Sequence, residues 1–252
     1  NRELADSLNS AKYSNIIDIT QKQQECNIEI NKMGGKWKDY FIYDTKELYY
    51  NNTPECSFKI IIMILKVHDG NNFTINNIKL LLIDEYKKLE KYNKLVFDIL
   101  TSEGKTNFIK QILSGEITIV DYITSDNYYI TNLDLLLLSN RFKIPLILLS
   151  STKLKESETN ILITNKDSDK FYFIKAPADV KGTIDPISNK NLQYKLVVDS
   201  ENNPIFIKNK LNDNLIEQID RHDPIILEKY ISSYNVEKKQ KKIKKLGKLV
   251  LN

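Results

Sequence analysis

The 252-residue chain holds two cysteines, two histidines, one tryptophan, seven glycines and six prolines, and each scarcity rules something out. No apolar run approaches the ~18 residues that a membrane-spanning helix needs, so a soluble protein of one large or two small domains is expected. Two histidines and two cysteines are too few for a zinc site built from soft ligands, and no HExxH helix is present. No glycine-rich phosphate loop occurs, so nucleotide-dependent chemistry is unsupported; neither a cofactor nor a metal is expected. Cys26 and Cys56 cannot form a disulfide framework, and no signal peptide precedes them. Two free thiols in a reducing, cytoplasmic setting are therefore expected, with a single Cys26–Cys56 bridge as the minor alternative.

Asn, Ile, Lys and Tyr are abundant, the bias that an AT-rich genome imposes. The net charge is +4, and the stretch 237–248, EKKQKKIKKLGK, carries seven lysines against one acid. Such a cluster can hold phosphates or an anionic surface. It lacks the interleaved aromatics and arginines that base readout favours, so a solvated tail is the plainer reading.

Residues 1–45 are polar and Gln/Asn-rich until WKDYFIYD, whose Trp37, Tyr40, Phe41 and Tyr43 suit an arm docked on the main domain. Next comes NTPECSFKIIIMILKVHDGN, an apolar run bracketed by Pro54 and by Asp69-Gly70-Asn71. Its β-branched residues would also fit a strand, but the bracketing and its length of about twelve residues favour a buried helix. Segments 75–100 and 106–115 show apolar residues at three-and-four spacing, which predicts amphipathic helices, with Gly115 as a C-cap.

The block YYITNLDLLLLSNRFKIPLILLSS then predicts a helix capped by Thr131 or Asn132, running into a short buried strand after Ile144-Pro145. After it, NILIT, KFYFIKA, QYKLVVD and PIFIK read as strands, and LNDNLIEQIDRHDPIILEKYISSY as one or two short helices broken at Pro224. The expected class is α+β, with helices packed on a small central sheet. The boundaries read as an arm over 1–45, a main domain over 46–210, a helical segment over 211–236 and a lysine-rich tail over 237–252.

Cys56 is the residue with chemical potential. The first turn of a helix lowers a thiol's pKa through unpaired N–H groups and the helix dipole, and the same N–H groups can hold an oxyanion. A cysteine in an apolar run is also ordinary packing, and composition alone favours that reading. A nucleophile further needs a base. His68 lies twelve residues on, roughly 18 Å along a continuous helix, and is excluded. His222, in DRHDP between Asp220 and Asp223, is the remaining imidazole; a surface histidine beside acids is usually only that.

Taken in order, PECSFKIIIMIL and YYITNLDLLLLSNRFKIPLILLSS resemble the ovarian-tumour (OTU) family of papain-like cysteine proteases, and within it the divergent domains of large DNA viruses. The first block matches the nucleophile loop at Cys56, Ser57 and Phe58; the second matches a helix with an acid, Asp134, leading into a central strand. The likeness covers about residues 45–175. It implies a papain-like fold and a deubiquitinase that cleaves isopeptide bonds of ubiquitin or a ubiquitin-like protein through Cys56. Pro54 and Glu55 would shape the oxyanion loop, His222 would be the base, and Asp220 or Asp223 would orient it. Two departures stand out. Thr53-Pro54-Glu55 replaces the family's Asp-Gly-Asn, and Asp169-Lys170-Phe171 stands where its strand histidine would be. The second reading is thus a pseudoprotease, a binding or virion-assembly module that docks a protein. The third is an anionic-surface or nucleic-acid binder acting through the lysine tail.

Overall fold

In the computed structural model, residues 26–42, 44–51, 53–150, 161–177 and 193–232 are described. Seven strands form a mixed sheet: β1 (Asn27–Lys32), β2 (Lys46–Asn51), β3 (Leu146–Leu149), β4 (Ile161–Ile163), β5 (Lys170–Lys175), β6 (Lys195–Val198) and β7 (Phe206–Ile207). Their order is β1-β2-β6-β5-β3-β4, with β7 on β5. Every pairing is antiparallel except β3 with β5. The helices among the described residues include α1 (Phe58–Asp69), α2 (Ile75–Lys88), α3 (Asn93–Ser102), α4 (Thr106–Ser114), α5 (Ile119–Thr124), α6 (Asn132–Phe142) and α7 (Asp213–Asp220). This is the α+β layering that the strand-rich second half and helical first half predict.

β3 is apolar and buried at every position, and β5 and β6 are so apart from their terminal lysines, because both faces of the sheet are covered. Successive side chains alternate between faces. Leu146, Leu148, Tyr172, Ile174, Leu196 and Val198 join one core with α1, α2, α3 and α6. Ile147, Leu149, Phe171, Phe173 and Val197 join a second core, closed by Trp37, Phe41, Phe206 and by Leu215 and Ile219 of α7. The register agrees with this division, since Ile147 stands opposite Phe173 and Ile163, all on the second face.

Local chemistry sets the helix ends. Gly70 and Gly115 take the left-handed conformation, at φ 73° and φ 79°, and end α1 and α4 as C-caps. Thr131 caps α6, with its hydroxyl on the Asp134 N–H and the Asp134 carboxylate on the Thr131 N–H. The segment 75–100, which reads as continuous in amphipathic pattern, is interrupted by a 3₁₀ turn over Glu90–Tyr92. Leu89 is buried there and its N–H reaches Tyr86 three residues back, so the ladder tightens without any glycine or proline.

The aromatic run of the N-terminal region covers the second face. Trp37 is buried and its indole N–H donates to the Ser150 carbonyl at 2.7 Å; Phe41 packs edge-on against Phe173 and Phe206. Tyr43 and the lysine tail lie outside the described residues. Among the described residues, no helix is long and apolar enough to cross a membrane.

Candidate functional site

Cys56 sits not in α1 but in the 3₁₀ turn Pro54–Ser57 that precedes it, and it is fully buried. Its Sγ is bonded to Cys26 across 30 residues, with Cα atoms 5.6 Å apart. The expectation of two free thiols is thereby corrected. The reason is tertiary: β1 pairs with β2 so that Asn27 faces Asn51, which brings the residues just before and just after the hairpin to one end of it.

Other groups of the loop are engaged as well. The Cys56 N–H donates to the Thr53 carbonyl at 3.0 Å, so this donor is spent inside the turn rather than presented to a substrate. The Thr53 hydroxyl lies 3.2 Å from Cys56 Sγ. Because a disulfide sulfur has no proton, the hydroxyl is the donor in that contact. The Glu55 carboxylate pairs with Lys79 at 3.0 Å. The Lys79 ammonium is buried and also donates to the carbonyls of Thr124 and Ser125. Ser57 Oγ donates to the Pro54 carbonyl and accepts from the Ile130 N–H. Pro54 supplies the fixed φ that opens such a turn. The loop is therefore a junction that ties α1 to α2 and to the chain ahead of α6.

Neither histidine is brought to Cys56. His68 lies in the last turn of α1, with Nε2 3.6 Å from Asp69 and its ring edge-on to Tyr172. His222 follows α7, whose Leu215 and Ile219 belong to the second core, whereas Phe58 beside Cys56 belongs to the first. The sheet stands between them. His222 Nδ1 lies 2.6 Å from the Gln218 carbonyl, while Asp220 pairs with Lys208 and Asp223 with Lys166, each at 3.5 Å. Neither aspartate is paired with the imidazole in these contacts.

Polar chemistry concentrates instead around Asp134, which sequence reading noted only as an acid on a helix. Its carboxylate accepts from Tyr86 at 2.6 Å, from Tyr128 at 2.9 Å and 3.0 Å, and from the Thr131 N–H and hydroxyl at 2.9 Å each. Lys105, fully buried, places its ammonium 3.5 Å from Asp134 and 3.4 Å from the centre of the Tyr128 ring. Tyr122 and Tyr129 turn their rings toward the same ammonium, at 5.4 Å and 5.1 Å. Burial lowers the Lys105 pKa to about 8, against the opposing pull of Asp134 and Glu103. Burial likewise raises the phenols of Tyr86 and Tyr128 well above their ordinary value. The cluster is closed to solvent and fastens the start of α6. The signals that could have found it are the Tyr128-Tyr129 pair and the Thr131…Asp134 spacing.

A second ionic cluster holds the N-terminal segment. Glu47 is buried and receives Lys175, Lys195 at 3.0 Å and the Gly34 N–H at 2.8 Å. Burial pushes its carboxyl up, but the hydrogen bonds from Lys175, Gly34 and Lys195 outweigh it and hold the pKa below the usual range. Among the described residues, no group of three or more His, Cys, Asp or Glu side chains is placed to hold a metal ion. A recess of about 230 Å³ lies at the carboxyl end of α6, lined by Leu136, Ser139, Asn140 and Ile225 among others. Neither Asp134 nor Cys56 lines it.

These observations define an α+β protein whose sequence-indicated cysteine is a buried half-cystine. No protein-family model matches the chain, and no curated protein matches it either. Among solved structures, the chain is similar to an ovarian-tumour (OTU) domain in complex with ubiquitin: identity is 10%, the match covers 82% of this chain and 94% of that one, and the TM-score is 0.40.

Proposed function

We propose that the chain is a non-catalytic docking module on an OTU-like α+β scaffold, with ubiquitin or a ubiquitin-like protein as the partner that the sequence resemblance implies. One observation carries this reading: Cys56 is bonded to Cys26, and its backbone N–H is used by Thr53. A thiol hydrolase needs a thiolate, a free oxyanion donor and a base. At Cys56 the first two are occupied, and His222 is on the other side of the sheet. Glu55, which the resemblance puts in an oxyanion loop, is an anchor for Lys79 instead. The hydrolase reading keeps one point in its favour, the position of Cys56 just ahead of α1.

The two readings are separated with ubiquitin carrying a C-terminal electrophile, offered to the oxidised and to the reduced protein. A docking module gives no covalent adduct in either state, while isotope-labelled ubiquitin shows residue-specific shifts on titration. An adduct that forms after reduction and is lost in Cys56→Ala and in His222→Ala would overturn the non-catalytic reading. Absence of both adduct and shifts would remove ubiquitin as the partner.

A further inference from the structure

We propose that Cys26–Cys56 is a directional redox latch: a dithiol reductant opens it at Cys26, Cys56 departs as the thiolate, and the opening frees the edge strand β1. The two sulfurs are not equivalent. Cys56 is fully buried, whereas Cys26 is half-buried and stands ahead of β1 at the rim of the sheet. An incoming thiolate therefore meets Cys26 first. The leaving sulfur then carries the negative charge, and exchange is faster when that charge is stabilised. Cys56 has what is needed, because the Thr53 hydroxyl already points a hydrogen bond at it from 3.2 Å. The Thr53 side chain makes no helix-capping bond that would compete with this contact.

The electron balance is that of a two-electron exchange. The reductant's first thiolate bonds to Cys26 Sγ, and the S–S bond breaks with its electron pair going to Cys56 Sγ. The reductant's second thiolate then attacks its own sulfur in the mixed disulfide and expels Cys26 as a thiolate. The reductant ends as its cyclic disulfide, and the protein ends with two thiols, protonated from solvent.

The mechanical consequence follows from the sheet order. Among the described residues β1 is the terminal strand, and it pairs with β2. Five of its six residues are exposed, including Ile28 and Ile30. β2 is gripped on its other side by β6 and carries the buried Leu48 and Glu47. Opening the bridge releases the strand with little core behind it and leaves the other in place. Local opening of this kind is expected where few apolar contacts hold an element.

The test uses the whole native protein. A brief pulse of glutathione, a monothiol that stops at the mixed disulfide, is quenched with N-ethylmaleimide, and the adducts are mapped by mass spectrometry. The latch gives glutathione on Cys26 and maleimide on Cys56, with a rate several-fold lower in Thr53→Val. Glutathione on Cys56, or opening only at denaturant concentrations that unfold the protein, overturns it. Hydrogen exchange supplies the second readout: after reduction, β1 amides lose protection while those of β5 and α6 keep theirs. Unchanged β1 protection in both the reduced protein and Cys26→Ser overturns the release of the strand. None of these measurements involves a partner, so their failure is distinct from failure of the docking reading.

Discussion

Lys105 and Asp134 form an ion pair in which neither side chain has any exposed surface, with Nζ 3.5 Å from Oδ2. An ion pair so deep is held by what surrounds it. The carboxylate takes hydrogen bonds from two tyrosines and from the Thr131 cap, and the ammonium lies against the face of Tyr128. Charges leave water at a cost of several kcal/mol each, and only near-complete hydrogen bonding offsets it. The pair is thus a device that fixes where α6 begins.

Breaking that pair from one side is expected to be costly. Asp134→Ala leaves Lys105 buried without its carboxylate and takes the capping box with it, so a loss of about 3–5 kcal/mol in stability is expected. Thr131→Ala, which removes only the cap hydroxyl, is expected to cost about 1 kcal/mol. Urea unfolding of both variants checks the ranking; equal losses would contradict the central role given to the ion pair.

The pH dependence of the cluster has a definite sign. Lys105 titrates at about 8 in the folded protein and at its ordinary, higher value when unfolded. Between those values the unfolded chain binds the extra proton, so this group's contribution to stability rises as pH increases from about 8 toward about 10. The tyrosines act in the opposite sense, since burial raises the phenols of Tyr86, Tyr122 and Tyr128. Their contribution is present below about pH 10 and is lost above it. Thermal melts should therefore show the difference between wild type and Lys105→Met growing in the protein's favour over that first window. A flat difference would dismiss the assignment.

Acid should act through Glu47. Its carboxyl is held below the usual range by Lys175, Lys195 and the Gly34 N–H, so its stabilisation is present above the unfolded pKa of about 4.3 and fades as pH falls through the folded value. Glu47→Gln should destabilise the protein at neutral pH and flatten the acid limb of the stability curve. Loss of Trp37 burial, read from its fluorescence, should accompany acidification, because Gly34 and Trp37 share the segment that Glu47 and Lys175 fasten.

The bridge between Cys26 and Cys56 also contributes to global stability. A cross-link closing about 30 residues restricts the unfolded chain by about 3–4 kcal/mol in the chain-entropy account. Denaturant curves with and without reductant should differ by that order for wild type and coincide for Cys26→Ser. A reductant effect that persists in Cys26→Ser would place its cause elsewhere.

Much of the architecture is written in local pattern. The strands at 146–149, 161–163, 170–175, 195–198 and 206–207, the α1 stop at Gly70, the α4 cap at Gly115 and the α6 cap at Thr131 all follow from residue types in short windows. Periodicity and capping are properties of neighbours along the chain, so a sequence displays them. β1, β2 and α5 are not legible in the sequence, where 1–45 reads as a polar arm, because NIEINK, KELYYN and IVDYIT are short and mix polar with apolar residues. The break at Glu90–Tyr92 carries no breaker residue and was equally hidden.

What the sequence determined alone is the α+β class, the buried helix after Pro54 and the shortage of histidine and cysteine that leaves Cys26 and Cys56 as the two sites for any thiol chemistry. Tertiary structure decided what Cys56 is. The β1–β2 pairing carries Cys26 to it across 30 residues, and the division of the sheet into two faces sets His222 on the far side. It also decided that Lys105 meets Asp134 across 29 residues. Such meetings depend on how strands pair and which face each helix covers. They are long-range choices of packing, and no window of sequence contains them.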